Sequence, residues 1–176
     1  MGLDDYHQLV AQHRDRIFTF AFYTLGHRED AEDVTQDVLV RLWQNGKRLD
    51  LERVGAWLNR VTRNACYDLA RKRKVRRAVH ASGDQESLLA QVPSPRPDPE
   101  GEAGAADFRR RLTAALRQLP EPYRSAVVLR EIQGLSYREI ADVLDRPLNT
   151  VKVYLHRGRR LLRQALAEVE PYVRAS

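Results

Sequence analysis

Tyr6, Leu9, Val10, His13, Ile17, Phe20 and Ala21 recur at steps of three and four residues, so the chain opens on an amphipathic helix with one inward face. The same step returns in Ala31, Val34, Val38 and Leu42, and again in Trp57, Val61, Ala65 and Leu69. No period-two run of β-branched residues competes with it. Turn residues interrupt the pattern at Gly26-His27 and Asn45-Gly46, with Gly55 a candidate third break. A second set of stripes starts near Phe108: Leu112, Ala115, Leu116 and Leu119 share a face ahead of Pro120-Glu121-Pro122. A helix from about Tyr123 to Ile132 should follow and end at Gln133, with Gly134 as its C-terminal cap. The expected fold is all-α.

From Leu135 to Arg160 the pattern becomes more specific. Ser136 followed three residues later by Glu139 is a capping box that starts a helix, Ile140, Ala141 and Leu144 give that helix a buried face, and Asp145-Arg146-Pro147 stops it. The next helix should begin near Asn149 or Thr150, with Val151, Leu155, Gly158 and Leu162 facing inward. Lys152, Val153, His156, Arg157 and Arg160 then lie outward. Two helices joined by a tight turn, the second with an apolar inner stripe and a basic outer one, form a helix-turn-helix whose outer face suits a DNA major groove. A basic helix that merely solvates its outer face needs neither the caps nor the turn.

Charge divides the chain into modules. The 176 residues carry a net charge of +6, but residues 1–70 hold −2, 71–80 hold +6, 81–107 hold −5 and 108–176 hold +7. The acidic segment contains Pro93, Pro95, Pro97 and Pro99, which remove backbone donors and oppose helix, and it has few apolar residues to offset ordering. It reads as a flexible tether between two small helical domains: residues 1–77, a linker over 78–107, and residues 108–176 with the helix-turn-helix. Fully extended, the 27 residues of the acidic segment 81–107 reach at most about 90 Å.

Asp30-Ala31-Glu32-Asp33-Val34-Thr35-Gln36-Asp37-Val38 and Trp57-Leu58-Asn59-Arg60-Val61-Thr62-Arg63-Asn64 resemble region 2 of bacterial sigma factors. Leu119-Pro120-Glu121-Pro122-Tyr123-Arg124 and the stretch from Thr150 to Arg159 resemble region 4. Together, in this order, they resemble the extracytoplasmic-function (ECF) group, small two-domain promoter-specificity subunits of RNA polymerase. The resemblance implies that Asp30, Glu32, Asp33, Gln36 and Asp37 dock on the clamp helices of core RNA polymerase. It implies that Arg60, Arg63, Asn64, Arg71, Lys72, Arg73 and Lys74 serve the minus-ten element, where the helix from Val54 to Arg77 and the loop before it melt promoter DNA. Arg138, Thr150, Lys152, Val153, His156, Arg157 and Arg160 would read the minus-thirty-five element. In relatives the linker threads polymerase channels, and most relatives are held by an anti-sigma factor, though no residue here names one. Asp145 and Asn149 stand where the family commonly has Gly, and Gly158 where it has Ala; Asp and Asn tolerate turn geometry.

Other chemistries find little support. The carboxylate row of one helix offers too few convergent oxygens for a hard cation and lacks a Gly-containing loop. His7, His13, His27, His80 and His156 are scattered, and no phosphate-binding Gly-rich loop occurs. No enzyme activity, cofactor, metal or small-molecule substrate is expected. Cys66, the single cysteine, sits in a helical stripe and suits a reducing compartment. With no membrane-length apolar run and no basic leader, the expected location is the cytoplasm, on the nucleoid when engaged with polymerase, without membrane insertion.

Overall fold

In the computed structural model, residues 2–50, 52–79 and 102–173 are described, and they are helical in seven stretches. Helix α1 spans Leu3–Leu25, α2 Arg28–Asn45 and α3 Val54–Val79. After the linker, most of which lies outside the described residues, come α4 (Glu102–Gln118), α5 (Glu121–Val127), α6 (Tyr137–Leu144) and α7 (Leu148–Val173).

The first three helices close on one another, α1 and α2 along the stripes read from sequence and α3 along Leu58, Thr62, Ala65 and Cys66, which leaves Trp57, Val61 and Leu69 of its expected stripe half-buried. Leu9, Ile17, Phe20 and Ala21 of α1 meet Ala31, Val34, Val38 and Leu42 of α2 and Leu58, Ala65 and Cys66 of α3, all buried. Gly26 ends α1 in the left-handed region at φ 76°, and its N–H bonds the Phe22 carbonyl at 2.7 Å. Asn45 ends α2, and a 3₁₀ turn over Gly46–Arg48 follows. Gly55 breaks nothing: it lies in the first turn of α3, which begins at Val54. Burial pushes the Cys66 thiol up to about 12, with the Asp30 carboxylate adding to the effect, so the thiol is inert at neutral pH.

The second module departs from expectation in two places. Helix α4 starts at Glu102, inside the stretch assigned to the linker. Its first turns contain Ala103, Ala105 and Ala106, strong helix formers that outweigh the about 1 kcal/mol cost of Gly104. Helix α5 passes into a π turn over Val128–Ile132, in which the Gln133 N–H reaches the Val128 carbonyl at 3.1 Å. Gly134 then turns the chain at φ 72°. Helix α6 has the capping box as read: the Glu139 N–H donates to Ser136 Oγ at 3.3 Å, and the Ser136 N–H to Glu139 Oε2 at 2.7 Å. Asp145 takes the left-handed turn at φ 52°.

The two modules pack together. The Arg124 guanidinium donates to the Thr24 carbonyl at 2.8 Å, supplying a cation to an α1 C-terminus that has no basic residue in its last turn. Gln133 Nε2 donates to the Arg16 carbonyl at 2.7 Å, and Arg16 donates back to the Gln133 carbonyl at 3.3 Å. Gly26 admits this approach, since a Cβ there would lie 2.4 Å from Arg117 Cδ. Burial lowers the Arg124 pKa, with Glu121 opposing the shift.

Candidate nucleic-acid interface

The outer face of α7 is the clearest candidate surface. Val151 and Leu155 are fully buried, as is Gly158, while Lys152, Val153, His156, Arg157 and Arg160 are exposed on the opposite side. Thr150 is half-buried in the first turn and Arg138 is exposed on α6. Leu162 is half-buried against the core. Arg159, between the two faces, pairs with Glu131 at 2.7 Å, and Arg157 Nη1 lies 3.5 Å from the Tyr123 hydroxyl. Gly158 lets α7 approach α5 closely, because an added Cβ would stand 2.6 Å from Val127 Cγ2 and 3.1 Å from the Tyr123 carbonyl.

Helix α3 carries the second basic face. Arg60, Asn64, Arg71, Lys72 and Lys74 are exposed along it. Two members are engaged by the other module: Arg60 Nη2 donates to the Asp142 carbonyl of α6, and Arg63 bonds both carboxylate oxygens of Glu121 at 3.2 and 3.3 Å. Trp57 is half-buried and packs on the core, whereas Tyr67 is 46% exposed beside Asn64 and Arg71, with the Arg63 guanidinium 5.8 Å over its ring. Tyr67 escaped the sequence reading, although its spacing from Arg63 and Asn64 already placed it on the basic face. Arg73 is half-buried and turned toward α2.

The acidic row on α2 is shorter than its spacing implied. Asp33, Gln36 and Asp37 are exposed, and Glu32 is half-exposed, bonded to Arg28 at 2.7 Å. Asp37 pairs with Arg41 at 2.8 Å. Asp30, expected in the same row, is buried and bonded to Arg73 Nη2 at 2.6 Å, because α3 crosses the N-terminal end of α2 and covers that turn. Val40 and Trp43 continue the exposed row with an apolar patch, Trp43 standing edge-on to Tyr6 at 5.1 Å.

Among the described residues, no group of three or more His, Cys, Asp or Glu is arranged to hold a metal ion. No described helix is long and apolar enough to cross a membrane.

Comparison with known proteins points in one direction. Residues 9–76 match the sequence model of sigma-70 region 2, and residues 109–162 match that of sigma-70 region 4. The chain is 36% identical over 167 residues to the ECF RNA polymerase sigma factor SigE of Mycolicibacterium smegmatis, covering 95% of this chain and 63% of that protein. It is 32% identical over 163 residues to the ECF RNA polymerase sigma factor SigL of Mycobacterium tuberculosis, covering 92% and 88%. In fold it resembles the sigma factor RpoE from Bartonella quintana, solved with the anti-sigma factor NepR, with a TM-score of 0.76, 24% identity and coverage of 94% and 98%. It also resembles CnrH, solved with the cytosolic domain of CnrY, with a TM-score of 0.68, 25% identity and coverage of 95% and 90%.

Proposed function

This chain belongs to the ECF RNA polymerase sigma factors, and on that premise we propose how its surfaces divide the work of promoter-directed transcription initiation. The exposed face of α7 enters the major groove of the minus-thirty-five element. Lys152, His156, Arg157 and Arg160 supply base-edge and phosphate contacts, and Val153 supplies an apolar contact suited to a thymine methyl. The observation that carries this reading is the clean split of α7, with Val151 and Leu155 buried and Lys152, Val153, His156, Arg157 and Arg160 open on the opposite side.

Helix α3 takes the minus-ten element. Arg71, Lys72 and Lys74 grip phosphates, Asn64 offers an amide to an exposed base edge, and Tyr67 stacks on an unpaired base, contributing about 1–3 kcal/mol toward holding the strands apart without ATP. Asp33, Gln36 and Asp37 on α2 dock on a basic surface of core polymerase and steer its approach. Arg60 and Arg63 reach DNA only when their bonds to Asp142 and Glu121 are released, so promoter engagement separates the modules. An anti-sigma factor, the kind of protein with which RpoE of Bartonella quintana was solved, is the second partner, binding the chain while it is free of polymerase.

Reconstitution tests this. Core polymerase with the full chain should select a two-element promoter from a random-sequence DNA library and give run-off transcripts from it. Replacing Lys152 and Arg157 together by Ala should reduce output at least tenfold with core binding unchanged, each lost base contact being worth about 1–3 kcal/mol. Failure of the chain to associate with core polymerase, or initiation without sequence preference, would sink the proposal.

A further inference from the structure

Helix α3 is longer than the body it packs on. Its buried stripe runs through Leu58, Thr62, Ala65 and Cys66, and half-buried Leu69 is its last apolar member. Beyond it Lys74, Val75, Arg76 and Ala78 are all exposed. One more turn of the stripe falls on position 73, and there the helix presents Arg73, whose guanidinium reaches Asp30 Oδ1 at 2.6 Å. This is the last described side-chain contact that ties the basic end of α3 to the rest of the module. Asp30 lies in the first turn of α2, where the helix dipole favours a carboxylate, and its side chain is only 9% exposed.

We infer that Asp30 and Arg73 act as a positioning pair that aims the basic end of α3 at DNA phosphates. The inference rests on the proposal that this helix meets promoter DNA. The pair turns two residues away from the partners their positions implied: Asp30 from polymerase and Arg73 from phosphate. In exchange, Arg71, Lys72, Lys74 and Arg76 are held in one direction. Four mutually repelling cations on a helix end with no apolar anchor would otherwise fray, since like charges three or four residues apart destabilise a helix. A carboxylate among phosphate-gripping residues opposes DNA binding by simple charge arithmetic; a carboxylate that aims them favours it. The two accounts predict opposite signs.

The experiment measures binding of the full chain to a mixed-sequence 40-base-pair duplex across a salt series. Asp30→Asn adds one unit of positive charge, yet binding is expected to weaken about tenfold, with the salt slope reduced by about one to two ions. Asp30→Glu, which keeps the pair, should stay within about twofold of the native chain. Arg73→Lys, which keeps the charge on a shorter side chain drawn back from Asp30 Oδ1, should weaken binding in the same direction and decides the matter if Asp30→Asn fails to fold. Equal or tighter binding by folded Asp30→Asn, or by Arg73→Lys, overturns the positioning role. A native chain whose duplex binding is unchanged by replacing Arg71, Lys72 and Lys74 with Ala would instead overturn the reading of α3 as a DNA contact.

Discussion

Gly158 faces the wall of α5, and its missing side chain is what allows α7 to sit there. Helix propensity alone favours Ala at this position by about 1 kcal/mol. The packing argues the other way: the new Cβ would meet Val127 Cγ2 at 2.6 Å and the Tyr123 carbonyl at 3.1 Å, and Val127 is itself buried, at 1% exposed. Overpacking of a tight core costs about 1–3 kcal/mol, so the steric cost exceeds the propensity gain. Gly158→Ala should therefore lower the melting temperature by about 2–4 °C, and the same substitution should cost less in a Val127→Ala background. An equal or higher melting temperature for the single variant would mean that α5 and α7 slide apart at no cost. The side chains also show how far spacing reaches. Helical period placed Asp30 with Asp33 and Asp37, yet which turn of α2 another helix covers is not a property of α2 alone.

Helix α6 has only eight residues and leans on its cap. Bonds from the Ser136 backbone and hydroxyl hold the Glu139 carboxyl below its ordinary value of 4.5. A carboxylate depressed in the folded state stabilises above its unfolded pKa, and the gain disappears as pH falls through the folded value. Ser136→Ala should cost about 1 kcal/mol at pH 7. The stability gap between the native chain and Glu139→Gln, read by thermal melts, should be open at pH 7 and narrow as the pH falls below 4.5. A pH-independent gap would mean that the carboxylate charge is irrelevant to the cap. Elements bounded by strong local chemistry were legible: Gly26, Gly134, Ser136 with Glu139, and Asp145 all do what their residue types imply. The start of α4 was not, because its Ala-rich first turns close a segment whose prolines and acidic charge oppose helix, and no local residue marks the π turn after α5.

At the scale of the molecule, the contacts between modules occupy Arg60 and Arg63, two of the side chains proposed to meet DNA. Glu121 holds Arg63 through two bonds, and both partners are about one-quarter exposed, which leaves the pair only partly screened by solvent. Glu121→Ala should release Arg63 and tighten binding of a single-stranded oligonucleotide by about two- to fivefold. Asp15→Ala, an equal charge change at a side chain 93% exposed on α1, is the control that removes the general electrostatic effect. Small-angle scattering of the Glu121 variant should show a larger radius of gyration. No gain over the control would mean that Arg63 is not a DNA contact in the open form.

Sequence determined the helices, their inner stripes, the caps, the helix-turn-helix and the alternation of charge along the chain, since each depends on neighbours within a few residues. Resemblance to the sigma family was legible for the same reason: its motifs are contiguous. Only the tertiary structure decided that Asp30 turns inward to Arg73, that Trp57 packs on the core while Tyr67 stands exposed, and that the modules close on each other through Arg124, Gln133, Arg60 and Arg63. Those outcomes join residues from 43 to 117 positions apart by Coulombic pairing, desolvation and shape. No local pattern encodes which distant surface will arrive.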